Sequence, residues 1–157
     1  GSEMCIRDRG YTVRHARDSV AFGLSAIADI DGAFVQNQRK LNRYQHAVGA
    51  GQLPAERGYV LSADDRIRKH VITALMCTFH LDLDDLDQRF GIDSRAYFAD
   101  EWEALAPLEE DGFVKRSERR IDVEGTGRLF VRNVCMLFDA YLDKGEPGDR
   151  PRFSRTV

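Results

Sequence analysis

The chain has 157 residues, of which 43% are hydrophobic and 31% charged, with a formal net charge of −3 and a pI of about 5.8. This composition suits one or two small globular domains, and the mild acidity argues against a dedicated nucleic-acid binder, whose affinity normally comes from a basic surface. No apolar run approaches the roughly 18 residues of a membrane span. Arg7 and Arg9 precede no apolar segment of the kind that a signal peptide has, so we predict a cytosolic protein.

The first nine residues read GSEMCIRDR. This string is the translation expected from a common transposon-end sequencing adaptor, and the match runs through all nine positions. Segments of this origin are excluded from fold reasoning. We therefore predict that residues 1–9 are a scar and that the natural sequence begins at Gly10, in the middle of a longer gene.

The next segment, residues 10–61, carries short β-like runs. Residues 11–13 and 33–35 have the composition of strands. Asp31 and Gly32 form a turn signal just before the second of these runs. We expect extended structure here, belonging to a different unit from the residues that follow.

A short helix and a linker are predicted at the end of this segment. Asn37 is predicted to cap a helix with Leu41, Tyr44 and Val48 on one face. Residues 50–61 are then interpreted as a linker that marks a domain boundary.

Residues 62–142 have the periodicity of a helical domain. Ser62 is predicted to cap the first helix, and two more follow, with Pro107 kinking or restarting the third. Residues 113–123 are typical of a β-hairpin around a charged turn. A last helix is predicted over residues 126–142, and because it is apolar on most sides we expect it to be buried between two layers.

Residues 143–157 form a polar tail without periodicity. Three helices, a hairpin and a helix is the element order of a winged-helix domain, whose hairpin would touch DNA. Acidic neighbours dilute the basic residues of this hairpin, so we interpret it as a solvated hairpin rather than a DNA-binding wing. The basic residues are Lys115, Arg116, Arg119 and Arg120.

The three cysteines, Cys5, Cys77 and Cys135, have the spacing of neither a disulfide framework nor a zinc site. Cys77 and Cys135 are predicted to be buried, reduced thiols. No histidine pair has the spacing of a metal-binding helix, and the sequence has no nucleotide-binding loop and no Ser–His–Asp order. The residues alone therefore predict no metal site and no catalytic residue, only a mostly helical, winged-helix-like module.

Seven stretches, in order and at matching spacing, resemble the C-terminal region of the oxygen-independent coproporphyrinogen III dehydrogenases, which are radical-SAM enzymes of haem synthesis. The resemblance covers essentially all of residues 10–157, although Ala28 stands where the family has a serine. The stretches are residues 10–12 (G-Y-T), 22–27 (F-G-L-S-A-I), 36–38 (Q-N-Q), 65–68 (D-R-I-R), 105–112 (L-A-P-L with D-G), 127–136 (G-R-L-F-V-R-N-V-C-M) and 153–155 (F-S-R).

The resemblance implies an α+β, mainly helical fragment. A winged-helix-like C-terminal domain at residues 62–142 would follow the last strands of an incomplete (β/α) radical-SAM barrel in residues 10–61. The parent would be a cytoplasmic, monomeric enzyme that oxidatively decarboxylates two propionates of coproporphyrinogen III to vinyl groups, giving protoporphyrinogen IX. Neither a nucleic acid nor a membrane is implied as a partner.

The resemblance also implies a [4Fe–4S] cluster and S-adenosylmethionine in the parent. Such a cluster needs three closely spaced thiolates, in a C-x-x-x-C-x-C motif that this sequence lacks. We therefore expect the fragment alone to be inactive and to bind neither group. Ile27 matches the family isoleucine that contacts a second S-adenosylmethionine. The glutamine that precedes G-Y-T in the family is replaced by Arg9 inside the scar, so its role is not carried over.

Two other classes of protein share parts of this pattern. One is a haem chaperone of the same superfamily, and the other is a winged-helix nucleic-acid-binding module. A cluster motif ahead of Gly10 would argue against the DNA module, and haem titration would separate a chaperone from the dehydrogenase.

Overall fold

The structure, a computed structural model, describes residues 18–142. It has an α+β fold, with about half of those residues helical and two small antiparallel sheets, as the predicted class requires. The chain divides into two compact units, and the division falls between Lys69 and His70. The predictions for residues 1–9, 11–13 and 143–157 lie outside the described residues.

The first unit is built on a three-stranded antiparallel meander of order β1-β2-β3. A two-residue turn joins the first two strands, with φ of 48° at Asp31 and 74° at Gly32. Positive φ at both positions matches the twist of a hairpin and favours an Asp-Gly pair, so the predicted turn is confirmed. The strands are β1 (Ile27–Ile30), β2 (Ala33–Asn37) and β3 (Ala55–Val60).

Two details predicted for this unit are wrong. The stretch 50–61 is not simply a linker, because residues 55–60 pair with β2 as a strand. The helix α1 (Leu41–Gly49) begins after Lys40, and Asn37 does not cap it, because Asn37 lies at the end of β2. The described strands pair antiparallel, whereas barrel strands are parallel, so the predicted barrel strands are not confirmed among residues 18–142.

Helix α2 (Ala63–Thr78) begins with a reciprocal cap. The hydroxyl of Ser62 accepts the N–H of Asp65 at 3.1 Å, and the Asp65 carboxylate accepts the N–H of Ser62 at 2.9 Å. The Tyr59 hydroxyl donates to the same carboxylate oxygen at 2.9 Å. This is a capping box with aspartate in the usual place of glutamate, and it confirms Ser62 as the helix start.

The second unit combines short helices with a three-stranded antiparallel sheet of order β4-β6-β5. The predicted hairpin is confirmed as β5 and β6. Its elements after α2 are β4 (His80–Asp82), α3 (Leu83–Phe90), α4 (Ser94–Tyr97), α5 (Ala99–Ala104), α6 (Ala106–Glu110), β5 (Val114–Ser117), β6 (Arg120–Val123), a 3-10 helix (Gly125–Phe130) and α7 (Val131–Met136).

Apolar side chains from the helices and the sheet form the core of this unit. Leu75, Leu86, Ile121, Val134 and Phe138 are all buried at 1% exposure or less. The predicted restart at Pro107 is confirmed, since α6 carries this proline in its first turn. Helix α3 ends at Gly91, which has a left-handed φ of 67°.

The predicted helix over residues 126–142 is wrong in its extent and its burial. It begins as a 3-10 helix, and the α-helical part covers only Val131–Met136. A Cβ on Gly127 would lie 2.7 Å from Cα of Phe113, so the backbones approach closely at this point. Phe130 and Tyr141 remain 47% and 55% exposed, whereas burial on most sides was predicted. Among residues 18–142, no helix has both the length and the apolar character to cross a bilayer.

Candidate functional site

The loop before β1 adopts an unusual backbone conformation. Its φ angle is 105° at Gly23 and 57° at Ser25. Glycine adopts such angles freely, but a non-glycine residue in the left-handed region costs about 1 kcal/mol or more. The loop therefore keeps this shape only if neighbouring groups hold it.

Side chains from β2 and α1 hold the loop at Gly23. The side-chain amide of Asn37 donates to the carbonyl oxygens of Gly23 at 2.9 Å and Ala21 at 3.2 Å. The N–H of Gly23 donates to the hydroxyl of Tyr44 at 3.1 Å. Asn37 thus acts as a clamp on the loop, which is why it is not available as a helix cap.

The remaining residues of the Q-N-Q stretch complete the clamp. The N–H of Ser25 donates to the carbonyl oxygen of Gln38 at 3.0 Å, and the N–H of Asn37 donates to that of Ala26 at 2.9 Å. The side-chain amide of Gln36 donates to the carbonyl oxygen of Ser25 at 3.2 Å. Two stretches that were singled out separately in the sequence therefore form one structural feature.

The clamped loop leads directly into Ile27, the predicted site residue. Ile27 is the first residue of β1, faces Gln36 across the ladder and is 58% exposed. Phe22 and Leu24 of the loop are also exposed, at 88% and 42%. The loop and the strand start therefore present an apolar surface on a backbone that is held in place.

The backbone of Ile27 points away from the partner strand. Along an antiparallel pair of strands, residues that hydrogen-bond to the partner strand alternate with residues that do not. The N–H of Asn37 donates to the carbonyl oxygen of Ala26, so the next residue, Ile27, is one that does not bond to β2. Two residues on, the outward N–H and C=O of Asp29 bond to Ser19. The corresponding groups of Ile27 have no backbone hydrogen-bond partner among residues 18–142.

The two described cysteines do not suit an iron–sulfur cluster. Cys77 and Cys135 are 4% and 6% exposed, as predicted for core thiols. Burial raises the pKa of the Cys77 thiol. Burial first, and then the nearby Cys77, raise the pKa of Cys135 to about 12. A cluster is bound by thiolates, so these environments oppose ligation. Among residues 18–142, no group of three or more metal-ligating side chains is close enough to hold an ion.

The basic hairpin is less solvated than predicted. Arg116 is paired with Glu109 of helix α6 at 2.7 Å, and Arg119 is paired with Asp84 at 2.7 Å and with Asp87 of helix α3. Acidic residues on neighbouring elements therefore neutralise two of the four basic side chains, and Asp122 of β6 pairs with a third, Arg120, at 3.7 Å. The sequence does not predict the pairs of Arg119, because Asp84 and Asp87 lie 35 and 32 positions before it.

Comparison with known families finds a match in the C-terminal part of the chain. Residues 61–130 match the family described as HemN C-terminal domain. This stretch runs from the residue before the Ser62 cap to the end of the 3-10 helix.

Comparison with individual proteins extends the match over nearly the whole chain. Three relatives carry the name oxygen-independent coproporphyrinogen III oxidase: those of Pseudomonas aeruginosa (42% identical over 149 residues), Salmonella typhimurium (41% over 149 residues) and Thermostichus vulcanus (39% over 137 residues). The alignments cover 95%, 95% and 87% of this chain but only 32%, 32% and 42% of the relatives. The resemblance drawn from the sequence is thereby confirmed.

A solved structure gives the same result. The chain matches the Escherichia coli coproporphyrinogen III oxidase HemN, described as a radical SAM enzyme, with a TM-score of 0.78 and 38% sequence identity. The match covers 88% of this chain and 34% of that enzyme. The chain thus spans about a third of the length of the proteins that it matches.

Proposed function

We propose that this chain is the C-terminal part of an oxygen-independent coproporphyrinogen III oxidase. The whole enzyme would oxidatively decarboxylate two propionates of coproporphyrinogen III to vinyl groups in haem synthesis. The observation that carries this proposal is the 42% identity over 149 residues to a relative of that name. A haem chaperone and a DNA-binding module remain the alternatives, and neither has a specific observation in its favour.

The initiating chemistry would come from outside these 157 residues. In the whole enzyme, a [4Fe–4S] cluster and S-adenosylmethionine would supply the radical that starts the reaction. The environments of Cys77 and Cys135 oppose cluster binding, so we assign no cluster ligand to this chain. The fragment alone is expected to be inactive.

We infer that Ile27 contacts a second S-adenosylmethionine in the whole enzyme. Its exposed side chain offers apolar packing, and its outward N–H and C=O offer one donor and one acceptor at the sheet edge. The clamp through Asn37 would keep these groups fixed before the ligand arrives. Ile27 is thus a binding residue in this proposal, and Asn37 is a positioning residue.

The finer architecture also belongs to the proposal. The order helix, strand, four helical segments and hairpin in residues 63–123 supports a winged-helix-like domain. We propose that residues 10–61 form the end of a radical-SAM barrel in the whole enzyme. The pairing of Arg116 and Arg119 with acids argues against phosphate contacts by the hairpin, so no nucleic-acid partner is proposed. Membrane partners are not proposed either, and the parent is expected to be a cytoplasmic monomer.

A genetic experiment tests the proposed function. Residues 10–157 would replace the corresponding segment of the Pseudomonas aeruginosa relative, and the chimera would be expressed in a bacterium that lacks its own coproporphyrinogen III oxidases. Growth without oxygen and without added haem is the expected result. No growth from a chimera that accumulates as soluble protein would contradict the proposal.

The role of Ile27 is tested in the same chimera. Ile27→Asp should weaken S-adenosylmethionine binding and slow turnover, because a carboxylate replaces an apolar contact. Ile30→Asp is the matched control, since Ile30 is also half-exposed, at 40%, at the other end of β1. Unchanged cofactor binding and turnover in Ile27→Asp would remove the assigned role.

A further inference from the structure

A shallow cavity in the second unit is lined by groups that the proposed function does not use. Its lining includes Arg95 of α4, Trp102 of α5, and Arg116 and Arg119 of the hairpin. Glu109 and Glu118 also line the cavity. Five charged side chains therefore line the cavity, and they differ in whether they form ion pairs.

Two of the three arginines are already neutralised. The Nε and Nη2 atoms of Arg116 both donate to Oε2 of Glu109, each at 2.7 Å. Arg119 is bound between Asp84 and Asp87. Hydrogen bonds from the backbone and side chain of Arg116 lower the pKa of Glu109, which keeps this acid ionised at neutral pH.

Arg95 differs from the other two arginines. Its guanidinium carbon lies 3.7 Å from the centroid of the Trp102 ring, close enough for a cation–π contact. Its side chain makes no ion pair with any residue between 18 and 142. Stacking on an aromatic ring fixes the plane of a guanidinium but leaves the N–H groups at its edge free to bind in that plane.

The charge of the lining limits the ligand. Arg116 is paired with Glu109, and Arg119 with two aspartates, so Arg95 is the cationic side chain of the lining without an ion pair among residues 18–142. A planar, singly charged anion matches the single charge of Arg95 and its fork of N–H donors. A dianion would bring a second negative charge close to Glu109 and Glu118.

We propose that this cavity binds a carboxylate, held in the plane of the Arg95 guanidinium beside Trp102. The ligand is a free organic acid or the acidic side chain of a protein partner, because the two present the same group. Arg95 and Trp102 form the binding pair, and Arg116, fixed by Glu109, supports the cavity wall.

Trp102 makes the site directly measurable, because it is the one tryptophan in the sequence. The full 157-residue chain would be titrated with sodium acetate, and with sodium chloride at equal ionic strength, while the tryptophan fluorescence and the indole N–H signal in NMR spectra are recorded. A saturable change with acetate alone is expected. Equal responses to acetate and chloride would overturn the proposal.

Substitutions then test whether Arg95 is the residue that binds acetate. Arg95→Gln should weaken acetate binding by about tenfold or more, the loss expected for one charge-assisted bidentate pair. Arg95→Lys should also weaken it, because lysine lacks the planar fork. Arg89→Gln is the matched control on α3 and should titrate like the parent. Parent-like binding by Arg95→Gln would overturn the proposal, and if that variant fails to fold, parent-like binding by Arg95→Lys would do so.

A second arm separates the two sources of the carboxylate. A short polyglutamate peptide is compared with acetate at equal carboxylate concentration. Much tighter binding of the peptide, lost in Arg95→Gln, would indicate a protein partner, whereas equal binding per carboxylate would indicate a small acid. Either result supports the site. If neither acetate nor the peptide binds, the proposal is overturned.

Discussion

The side-chain amide of Asn37 lies 2.9 Å from the carbonyl oxygen of Gly23, so the end of β2 is tied to the loop that leads into β1. The two residues are fourteen positions apart in the chain. The bond fixes a backbone that already contains a left-handed serine at position 25. The geometry around Ile27 therefore depends on a residue that does not itself contact the proposed ligand.

Replacing Asn37 by alanine should loosen this loop. The variant loses two hydrogen bonds and leaves two carbonyl oxygens without them, for an expected loss of about 1–3 kcal/mol of unfolding free energy. Urea unfolding measures the loss, and hydrogen exchange at the Gly23 amide should become faster.

Asn42→Ala is the control for this variant. Asn42 is exposed on α1, and within residues 18–142 its side chain accepts only the N–H of the adjacent Arg43. Its effect should stay within about 0.5 kcal/mol. Equal effects of the two variants on unfolding and on exchange at Gly23 would show that Asn37 does not clamp the loop.

Gly127→Ala should be among the most damaging single-methyl changes in the chain. The added Cβ would overlap the carbonyl of Phe113, and both are backbone positions that cannot rotate away. Overpacking of this kind costs about 1–3 kcal/mol or more. Gly49→Ala provides the control, because a Cβ there meets no atom within 4 Å. Parent-like urea unfolding of Gly127→Ala would mean that the two backbones do not approach as described.

The free energy of unfolding should decrease at acidic pH, and protonation of Asp87 should contribute to this decrease. Burial raises its pKa, but hydrogen bonds from Ser94 and Arg119 outweigh burial, so the pKa in the folded state is below the ordinary 3.8. A lowered folded pKa contributes stability above the unfolded value, and that stability is lost as the pH falls through the folded value. Asp87→Asn should therefore reduce the loss of unfolding free energy between about pH 6 and pH 3.

Asp100→Asn tests whether this effect is specific to Asp87. Asp100 is an exposed aspartate on α5, and its substitution should leave the slope of stability against pH close to that of the parent. Identical slopes for Asp87→Asn and the parent would contradict the role of the Ser94 and Arg119 contacts.

Cys135 should react slowly with thiol reagents in the folded chain. A pKa of about 12, against an ordinary 9.0, lowers the thiolate fraction near neutral pH by roughly a thousandfold, and burial slows access further. Labelling by a bulky disulfide reagent in a Cys5→Ser background measures the rate, with the urea-unfolded chain as the reference. Labelling at the unfolded rate would contradict the burial of this thiol.

The features that the sequence predicts correctly are those determined by neighbouring residues. The Asp31-Gly32 turn needs positive φ at two adjacent positions, and the Ser62 cap needs only Asp65 three residues later. The hairpin at residues 114–123 depends on a short turn between two strands. In each case the physical cause lies within a few residues.

The features that sequence reasoning missed depend on distant partners. Strand β3 has all six residues exposed, so no alternation of apolar and polar residues marks it, and its pairing with β2 alone makes it a strand. Asparagine commonly caps helices, but the side-chain amide of Asn37 donates to carbonyl oxygens 14 and 16 residues earlier. Arg95 and Trp102 stack although they lie on two separate short helices, α4 and α5, whose relative orientation periodicity does not specify.

The candidate site was predicted in part. The resemblance pointed to Ile27, but its outward backbone and the clamp from residues 36–38 required the strand register. Its contact with S-adenosylmethionine stays a prediction.

Anaerobic turnover of the purified chimera tests the central claim most directly. The chimera carries residues 10–157 in place of the matching third of the Pseudomonas aeruginosa relative, and its cluster content is first checked by iron and sulfide analysis. With coproporphyrinogen III, S-adenosylmethionine and a reductant, we predict formation of protoporphyrinogen IX and release of two carboxyl groups as carbon dioxide per molecule. A folded chimera with a full cluster that consumes no coproporphyrinogen III would contradict the account.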